Sequence, residues 1–284
     1  MKLSNPGAEI WVPDHSSVPD ALARTTDLAV VAHPDDAEIL GYRGILDGFG
    51  RKDRWFTAVV VTNGQGSARS GPYAACTDEE MVRIRKEEQK KAAAVGDYSA
   101  AVLLQYTSGQ VKDGAGGVVV RELAALLGAT RPRTLYTHNL ADKHDTHVAV
   151  VLRTIEAARS LEASERPARA LGGEAWRDLD WLCDPDKVTL DVQDRESLGL
   201  ALLGVFDSQI TGGKRYDLAE LGRRRAHATY HQSHSLDATT AMSFAMDLTP
   251  LLKDPSLDPQ AYASGFTDRF AAEVKDRIAR LRAR

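Results

Sequence analysis

Three short apolar runs, separated by helix-like stretches, restrict this chain to a small set of folds. They read DLAVVA at 27–32, FTAVVVT at 56–62 and AAVLLQY at 100–106. Such runs, rich in large or β-branched apolar side chains, are typical of strands buried on both faces. A fourth run, RTLYTH at 133–138, and helical stretches at 77–96, 118–129 and 147–160 continue the alternation. The pattern predicts a Rossmann-like α/β fold: a doubly wound, mostly parallel sheet with helices on both faces.

Composition excludes several functional classes. The net charge of -4 gives no electrostatic reason to expect a nucleic acid or an anionic membrane as a partner. The only tight basic cluster, the arginine triplet at 223–225, is expected to lie on a solvated helix face. Two cysteines, Cys76 and Cys183, cannot build a disulfide framework, and the N-terminus shows no apolar leader segment. We therefore expect a cytoplasmic protein.

The stretch VVAHPDDAEILG, residues 30–41, places one histidine and two adjacent carboxylates directly after a predicted buried strand. Ligands of open α/β sheets bind beyond the carboxyl ends of the strands. An imidazole and a carboxylate are good zinc ligands, so His33 and Asp36 could ligate a metal while Asp35 faces a water. The alternative is structural, because aspartates are also common at the N-terminus of a helix.

A second polar group lies at the same predicted edge of the sheet. The stretch DKHDTHVAVV, residues 142–151, places His144 and His147 three residues apart at the start of a helix, and therefore on one side of it. Histidine and aspartate ligands without cysteine suit a catalytic metal that keeps one position open for water. Zinc is the expected ion, although iron(II), cobalt and manganese accept the same ligands. The alternative is a polar helix start with solvated histidines.

These motifs resemble those of the PIG-L/LmbE-like metal-dependent N-deacetylases. AHPDDAEILGYRG looks like the AHPDD signature of that family, and HDTH is similar to its second motif, an HxxH at a helix start. RIRKEEQKKAAAVG at 83–96 resembles the Arg/Glu-bearing helix that follows the second strand in the family. The motifs cover roughly residues 27–155.

The resemblance implies a role for each matching residue. The zinc ligands would be His33, Asp36 and His147. Asp35 would be the general base that activates the attacking water, and His144 would stabilise the tetrahedral intermediate or donate a proton. Arg85 would position the substrate. The family commonly has an aspartate directly before the second histidine of HxxH, whereas Thr146 stands there in this chain. We therefore expect Asp142 or Asp145 to orient His144 instead.

The C-terminal part carries weaker signals. We expect one domain over 1–284, in which residues 1–160 form the metal-site core and residues 161–284 complete the sheet and the substrate pocket. Residues 161–174 are expected to be an exposed connection. Tyr230 and His234 are candidates to line the pocket, whereas a second metal site with His227 and His231, or a partly exposed helix face, are the alternatives.

The expected function is removal of an N-acetyl group from a small N-acetylated amino sugar or its conjugate. The resemblance supplies this substrate class, since the residues alone indicate only a metal-dependent hydrolase. Two alternatives stay open: hydrolysis of a different amide or ester at the same site, and a metal-binding protein of this fold without turnover. The resemblance also makes a homo-oligomer a reasonable expectation.

Overall fold

The strands of this chain form a mixed sheet. The computed structural model describes residues 1–113 and 116–283, and eight strands of this part pair in the order β1-β4-β3-β2-β5-β6-β8-β7. β2 to β6 pair in parallel, whereas β1, β7 and β8 pair antiparallel. The strands are β1 (Glu9–Trp11), β2 (Asp27–Val31), β3 (Phe56–Thr62), β4 (Ala100–Tyr106), β5 (Thr134–His138), β6 (Arg169–Gly173), β7 (Lys187–Asp191) and β8 (Met242–Asp247).

Helices cover both faces of the sheet, and this confirms the predicted doubly wound α/β fold. Along β2, Leu28 and Val30 pack with one group of helices, whereas Ala29 and Val31 pack with the other. The first face carries α1 (Val18–Ala23), α6 (Gly116–Thr130), α7 (Asp145–Arg159), α11 (Thr249–Lys253) and the start of α12 (Pro259–Arg282). The second carries α2 (Asp36–Leu40), α3 (Tyr42–Gly48), α4 (Asp78–Val95) and α8 (Glu196–Gly204).

Three further α-helices belong to the described residues. They are α5 (Ser108–Lys112), α9 (Asp207–Ile210) and α10 (Tyr216–Tyr230). Within residues 1–113 and 116–283, every helix is too short or too polar to cross a membrane.

The order of the parallel strands creates a switch point between β2 and β5. From β2 the chain proceeds through β3 to β4 on one side, and it then returns to add β5 and β6 on the other side. At such a point the two connecting loops leave the sheet in opposite directions and open a crevice beyond the carboxyl ends of the strands. The loop after β2 carries His33, and the loop after β5 leads to His144, so the fold brings the two predicted motifs to one crevice.

The expected exposed connection at 161–174 is wrong in its second half. Arg169–Gly173 form β6, which lies between β5 and β8 and is buried after its first residue. The two glycines of this strand make its sequence unlike that of a typical strand. They also allow α2 to approach closely. A Cβ built on Gly173 would lie 2.8 Å from the Cβ of Leu40, so no larger residue fits beneath that helix.

The arginine triplet at 223–225 is not simply a solvated face, because its central residue is buried. Arg224 is 6% exposed, and its guanidinium lies 4.3 Å from the ring centroid of Tyr42. It also donates to the carbonyl oxygens of Glu38 and Ile39 in α2, each at 3.2 Å. Arg224 therefore connects the C-terminal part of the chain to the helix that begins at Asp36.

We predict that Gly173→Ala destabilises the protein by about 1–3 kcal/mol, the usual range for overpacking a well-packed core. The added methyl group would force α2 away from the sheet. The matched control is Gly204→Ala in α8, where an added Cβ meets no atom within 4 Å. Urea unfolding of both variants measures the difference, and equal stability of the two would contradict this account of β6.

Candidate metal centre and its cavity

The loop after β2 points two adjacent carboxylates in different directions. Asp35 has a backbone φ of 92°, a left-handed conformation that few residues other than glycine adopt, although aspartate is among those that adopt it most often. Its backbone N–H donates to Oε1 of Gln89 at 3.2 Å. The turn sends the carboxylate of Asp35 towards Arg85 and the carboxylate of Asp36 towards His33.

Three potential ligand atoms form a nearly equilateral triangle. The Nδ1 of His33 lies 3.1 Å from the Nε2 of His147 and 3.3 Å from the Oδ2 of Asp36. The third edge, from His147 Nε2 to Asp36 Oδ2, measures 3.4 Å. Ligand atoms about 2.0–2.1 Å from one zinc ion at tetrahedral angles are themselves about 3.3–3.4 Å apart. The triangle therefore has the dimensions of one face of a zinc tetrahedron.

His147 has the hydrogen-bonding arrangement of a histidine ligand. Its Nδ1 lies 3.2 Å from Oδ2 of Asp142, and a proton on Nδ1 leaves the lone pair of Nε2 free to face the triangle. Burial lowers the pKa of His147, but the carboxylates of Asp36 and Asp142 on either side outweigh burial and raise it overall. A carboxylate behind a histidine ligand is the usual means of fixing its tautomer and raising its basicity.

The structure thus distinguishes the two aspartates that were considered for orienting His144. Asp142 contacts His147 through its side chain, and its Oδ1 accepts the backbone N–H of His144 at 3.0 Å. Asp145 is the exposed first residue of α7. The ring of His144 is fixed locally instead, because its Nδ1 accepts the backbone N–H of Thr146 at 3.3 Å. That bond leaves the Nε2–H of His144 available as a donor.

His144 lies over the triangle without being part of it. Its ring is stacked on His147 at 4.6 Å between centroids and meets the edge of the His33 ring at 4.9 Å. Burial and the neighbouring imidazoles of His147 and His33 lower the pKa of His144. A neutral ring with its proton on Nε2 is the form that this environment favours.

His138, at the end of β5, is a further histidine of the centre that the sequence did not assign to it. Its Nε2 lies 3.5 Å from Oδ2 of Asp36, and its ring is stacked on His147 at 3.8 Å. That nitrogen already accepts the backbone N–H of Ala32 at 2.9 Å, so its lone pair is not free for a metal. His138 therefore supports the loop after β2 rather than completing the ligand set.

Arg85 lines the cavity next to Asp35, and its guanidinium is paired within the protein. It is 1% exposed, and it donates to Oδ2 of Asp35 at 2.7 Å, to Oε2 of Glu88 at 3.1 Å and to the carbonyl of Pro34. These contacts engage both terminal nitrogens of the guanidinium, and its role in positioning a substrate stays a prediction. Burial raises the pKa of Asp35 to about 6, although the charge of Arg85 opposes the rise.

A buried polar cluster supports Asp35 from behind. The side-chain amide of Gln89 donates to Oε1 of Glu38 at 2.8 Å, and the hydroxyl of Tyr98 donates to the same oxygen at 2.7 Å. Burial raises the pKa of Glu38 to about 7. Since Gln89 also accepts the N–H of Asp35, the cluster holds the left-handed residue in place.

The triangle opens into a cavity of about 400 Å³. Its inner wall includes His33, Asp35, Asp36, Arg85 and His144. The C-terminal part of the chain supplies much of the outer wall, chiefly Trp176, Gln209, Lys214, Tyr216, Glu220 and Arg223. Lys214 Nζ lies 4.9 Å from the centroid of the Trp176 ring, and the Tyr216 ring meets that indole edge-on at 6.0 Å.

Tyr230 and His234 do not reach this cavity. Tyr230 is 79% exposed, and His234 follows the end of α10 on the surface. The inward face of that helix carries Arg224 and His227 instead. His227 Nε2 lies 2.8 Å from Oε1 of Glu174, and its ring is stacked on Phe244. In the described part of the chain, the groups of three possible metal ligands are His33 with His144 and His147, and Asp36 with His138 and His147, so both groups include His147.

Comparison with known proteins agrees with this geometry. Residues 28–158 match the family model described as PIG-L, GlcNAc-PI de-N-acetylase. That segment contains β3 to β5, all but the first residue of β2, all but the last residue of α7, and all the residues of the triangle. No curated protein matches the chain.

Several solved structures share the fold at low sequence identity. The N,N'-diacetylchitobiose deacetylase from Pyrococcus horikoshii is 14% identical with a TM-score of 0.60, over 85% of this chain and 90% of that one. The 4-carboxy-2-hydroxymuconate hydratase from Pseudomonas putida is 16% identical with a TM-score of 0.60, over 79% and 95%. The zinc-inhibited form of a teicoplanin deacetylase is 13% identical with a TM-score of 0.54, over 78% and 97%.

We predict that Asp142→Asn weakens zinc binding by about 10- to 100-fold, the usual effect of removing the carboxylate behind a histidine ligand. The control is Asp145→Asn, which makes the same chemical change three residues away at an exposed position. Competition with a chromogenic zinc chelator measures both affinities. Equal affinities in the two variants would contradict the assignment of Asp142 to His147.

Proposed function

We propose that this chain, whose residues 28–158 match the PIG-L family model, is a zinc-dependent N-deacetylase that hydrolyses an N-acetylated amino sugar or its conjugate. The observation that carries the proposal is the triangle of His33, Asp36 and His147, whose edges of 3.1–3.4 Å fit zinc. Asp35 and His144 border the same cavity and are not needed as ligands. The centre therefore has separate groups for holding a metal and for moving protons.

Amide hydrolysis needs a strong nucleophile and a polarised carbonyl. His33, Asp36 and His147 would hold a divalent cation, which when bound would supply both, because such an ion lowers the pKa of water towards about 7 and polarises a carbonyl. The carboxylate of Asp35 takes the proton of the attacking water. A general base works best when its pKa lies near the working pH, and burial raises the pKa of Asp35 to about 6.

Arg85 and Gln89 determine the orientation of that base. Arg85 contacts Oδ2 of Asp35 at 2.7 Å, so Oδ1 is the oxygen left to face the cavity. Gln89 fixes the backbone of the same residue. The role of Arg85 is therefore to position Asp35, and its effect on the substrate is indirect.

His144 acts on the other side of the reacting carbonyl. Its Nε2–H is free to donate a hydrogen bond, since Nδ1 already accepts the N–H of Thr146. Negative charge develops on the acetyl oxygen during attack, and a fixed donor at that point is worth about 3–4 kcal/mol. The proton that Asp35 has taken is available for the departing amine.

The cavity wall supports a sugar as the group that carries the acetamide. Trp176 presents an indole 6.4 Å from the ring of His144, centroid to centroid, and aromatic faces pack against the apolar side of a sugar ring. The volume of about 400 Å³ is in the range of small-molecule sites. The family model is described as a GlcNAc-PI de-N-acetylase, and one similar structure is a diacetylchitobiose deacetylase. The substrates in both descriptions are N-acetylated sugars.

One of the solved structures with a similar fold is a hydratase, so the assay must distinguish deacetylation from a second class of reaction. Because the Pseudomonas putida protein hydrates 4-carboxy-2-hydroxymuconate, the assay must detect both products of deacetylation. Acetate and the free amine, released in equal amounts from N-acetylglucosamine derivatives, identify the reaction. Turnover of a different amide, of an ester or of an unsaturated acid without acetate release would point to another activity at the same centre.

We predict that removing the metal with a chelator abolishes acetate release and that zinc restores it. Zinc is added back in steps of less than one equivalent, because a related deacetylase has a zinc-inhibited form. Activity should rise to a maximum near one zinc per chain, measured by elemental analysis. Activity that is unaffected by complete removal of metal would contradict the proposal.

We predict that Asp35→Asn and His144→Ala each retain zinc and lose about 100-fold or more in kcat. The reason is that neither side chain belongs to the triangle, whereas general-base catalysis and oxyanion stabilisation each contribute about 10²-fold or more. His147→Ala is the contrasting variant, and it should lose zinc. Thermal unfolding verifies that all three are folded, and loss of zinc from Asp35→Asn would reverse the roles of Asp35 and Asp36.

A further inference from the structure

The C-terminal helix α12 extends beyond the body of the protein. Its first half is anchored, because Phe266 is buried and the hydroxyl of Tyr262 donates to the carbonyl of Asp247 at 2.7 Å. Arg269 contacts Asp186 at 2.7 Å, and the ring of Phe270 lies 6.5 Å from that of Trp181. From residue 274 to the end of the helix every side chain is exposed. We call residues 274–282 the tail helix.

The tail helix carries an apolar stripe that its own chain leaves uncovered. Val274, Ile278 and Leu281 are 37%, 53% and 58% exposed. Together with Ala271 they follow a spacing of three, four and three residues, which places all four side chains on one face of the helix. The stripe is therefore suited to packing against another surface.

The charges of the tail helix indicate which kind of surface the stripe packs against. It contains four basic residues and one acidic residue: Lys275, Arg277, Arg280 and Arg282, with Asp276. Beside the anchored half of α12 runs a segment with the opposite charge, which we call the acidic segment: Asp178, Asp180, Asp184 and Asp186. Asp180 and Asp184 are 63% and 67% exposed although both lie near Lys187.

A groove lies next to the acidic segment. It has a volume of about 500 Å³ between β7 and the anchored half of α12, and its apolar lining consists of Pro185, Val188, Ala261, Tyr262 and Phe266. The tail helix of the same chain cannot enter it. Leu281 follows Arg269 by twelve residues, which corresponds to about 18 Å of straight helix leading away from the groove.

A second copy of the chain meets this geometry. If two α12 helices cross antiparallel with their centres near Val274, Ile278 of one lies beside Phe270 of the other, and Leu281 lies beside residue 267. Arg280 and Arg282 then lie beside residues 268 and 266 of the other copy, next to its groove and to the Arg269 that contacts its acidic segment. The two-fold axis forms each of these contacts twice, as in most homodimers.

We propose that the protein is a homodimer in which the tail helix of each copy docks against α12, the groove and the acidic segment of the other. The proposal is independent of the catalytic centre, since none of these residues lines the cavity at the triangle. The stripe supplies the apolar contact between the two copies. The arginines favour the antiparallel arrangement, because a parallel arrangement would bring the two basic ends together.

The first test compares association states by sedimentation velocity from about 1 to 100 μM. The wild-type protein should be a dimer, and the double variant Ile278→Asp/Leu281→Asp should be monomeric with unchanged thermal stability of the α/β body. The matched control is Ala272→Asp, which adds the same charge to an exposed position off the stripe. A monomeric wild-type protein, or a double variant that stays dimeric, would overturn the proposal.

The second test uses charge reversal to distinguish a second copy from other partners. Arg280→Glu/Arg282→Glu and Asp180→Arg/Asp184→Arg should each raise the dimer dissociation constant at least tenfold. A variant with all four substitutions should regain most of the affinity, because the pairs are restored with reversed signs. Failure of that rescue, or binding of monomeric wild-type protein to phosphatidylserine vesicles through the tail helix, would show that the stripe serves another surface.

Discussion

The left-handed backbone of Asp35 is the constraint on which the centre depends. Neighbouring side chains on a regular helix or strand would diverge in fixed directions, but a φ of 92° turns Asp35 away from Asp36 within one residue. One carboxylate then joins His33 and His147, and the other pairs with Arg85. The proposed metal ligand, Asp36, and the proposed general base, Asp35, thus come from adjacent positions without competing for the same cation.

This conformation is maintained by contacts from α4. Gln89 accepts the N–H of Asp35, and Arg85 contacts both the carboxylate of that residue and the carbonyl of Pro34. Glu88, between them, accepts from the hydroxyl and the N–H of Ser208, each at 2.7 Å. The helix therefore connects the loop after β2 to α9, which contributes to the outer wall of the cavity.

The switch point of the sheet explains why two distant motifs share one site. His33 and His147 are separated by 114 residues, yet their ring nitrogens are 3.1 Å apart, because β2 and β5 are neighbouring parallel strands whose loops leave the same edge. The close packing of α2 on Gly173 completes the arrangement. A catalytic reading of HDTH is thereby supported by the position of Asp142 behind His147, even though Thr146 replaces the usual aspartate.

The sequence by itself determined the α/β class, strands β2 to β5 and the two histidine motifs. Each of these depends on periodicity or on a short motif within a few residues, so the signal lies in the local chain. The tertiary structure alone decided that Gly172 and Gly173 belong to a central strand, that Arg224 is buried, and that Tyr230 and His234 lie outside the cavity. It also decided that Arg85 contacts Asp35 and that Asp142 contacts His147. These features depend on which distant elements pack together, and no local pattern records the partner of a buried charge or the helix that covers a glycine.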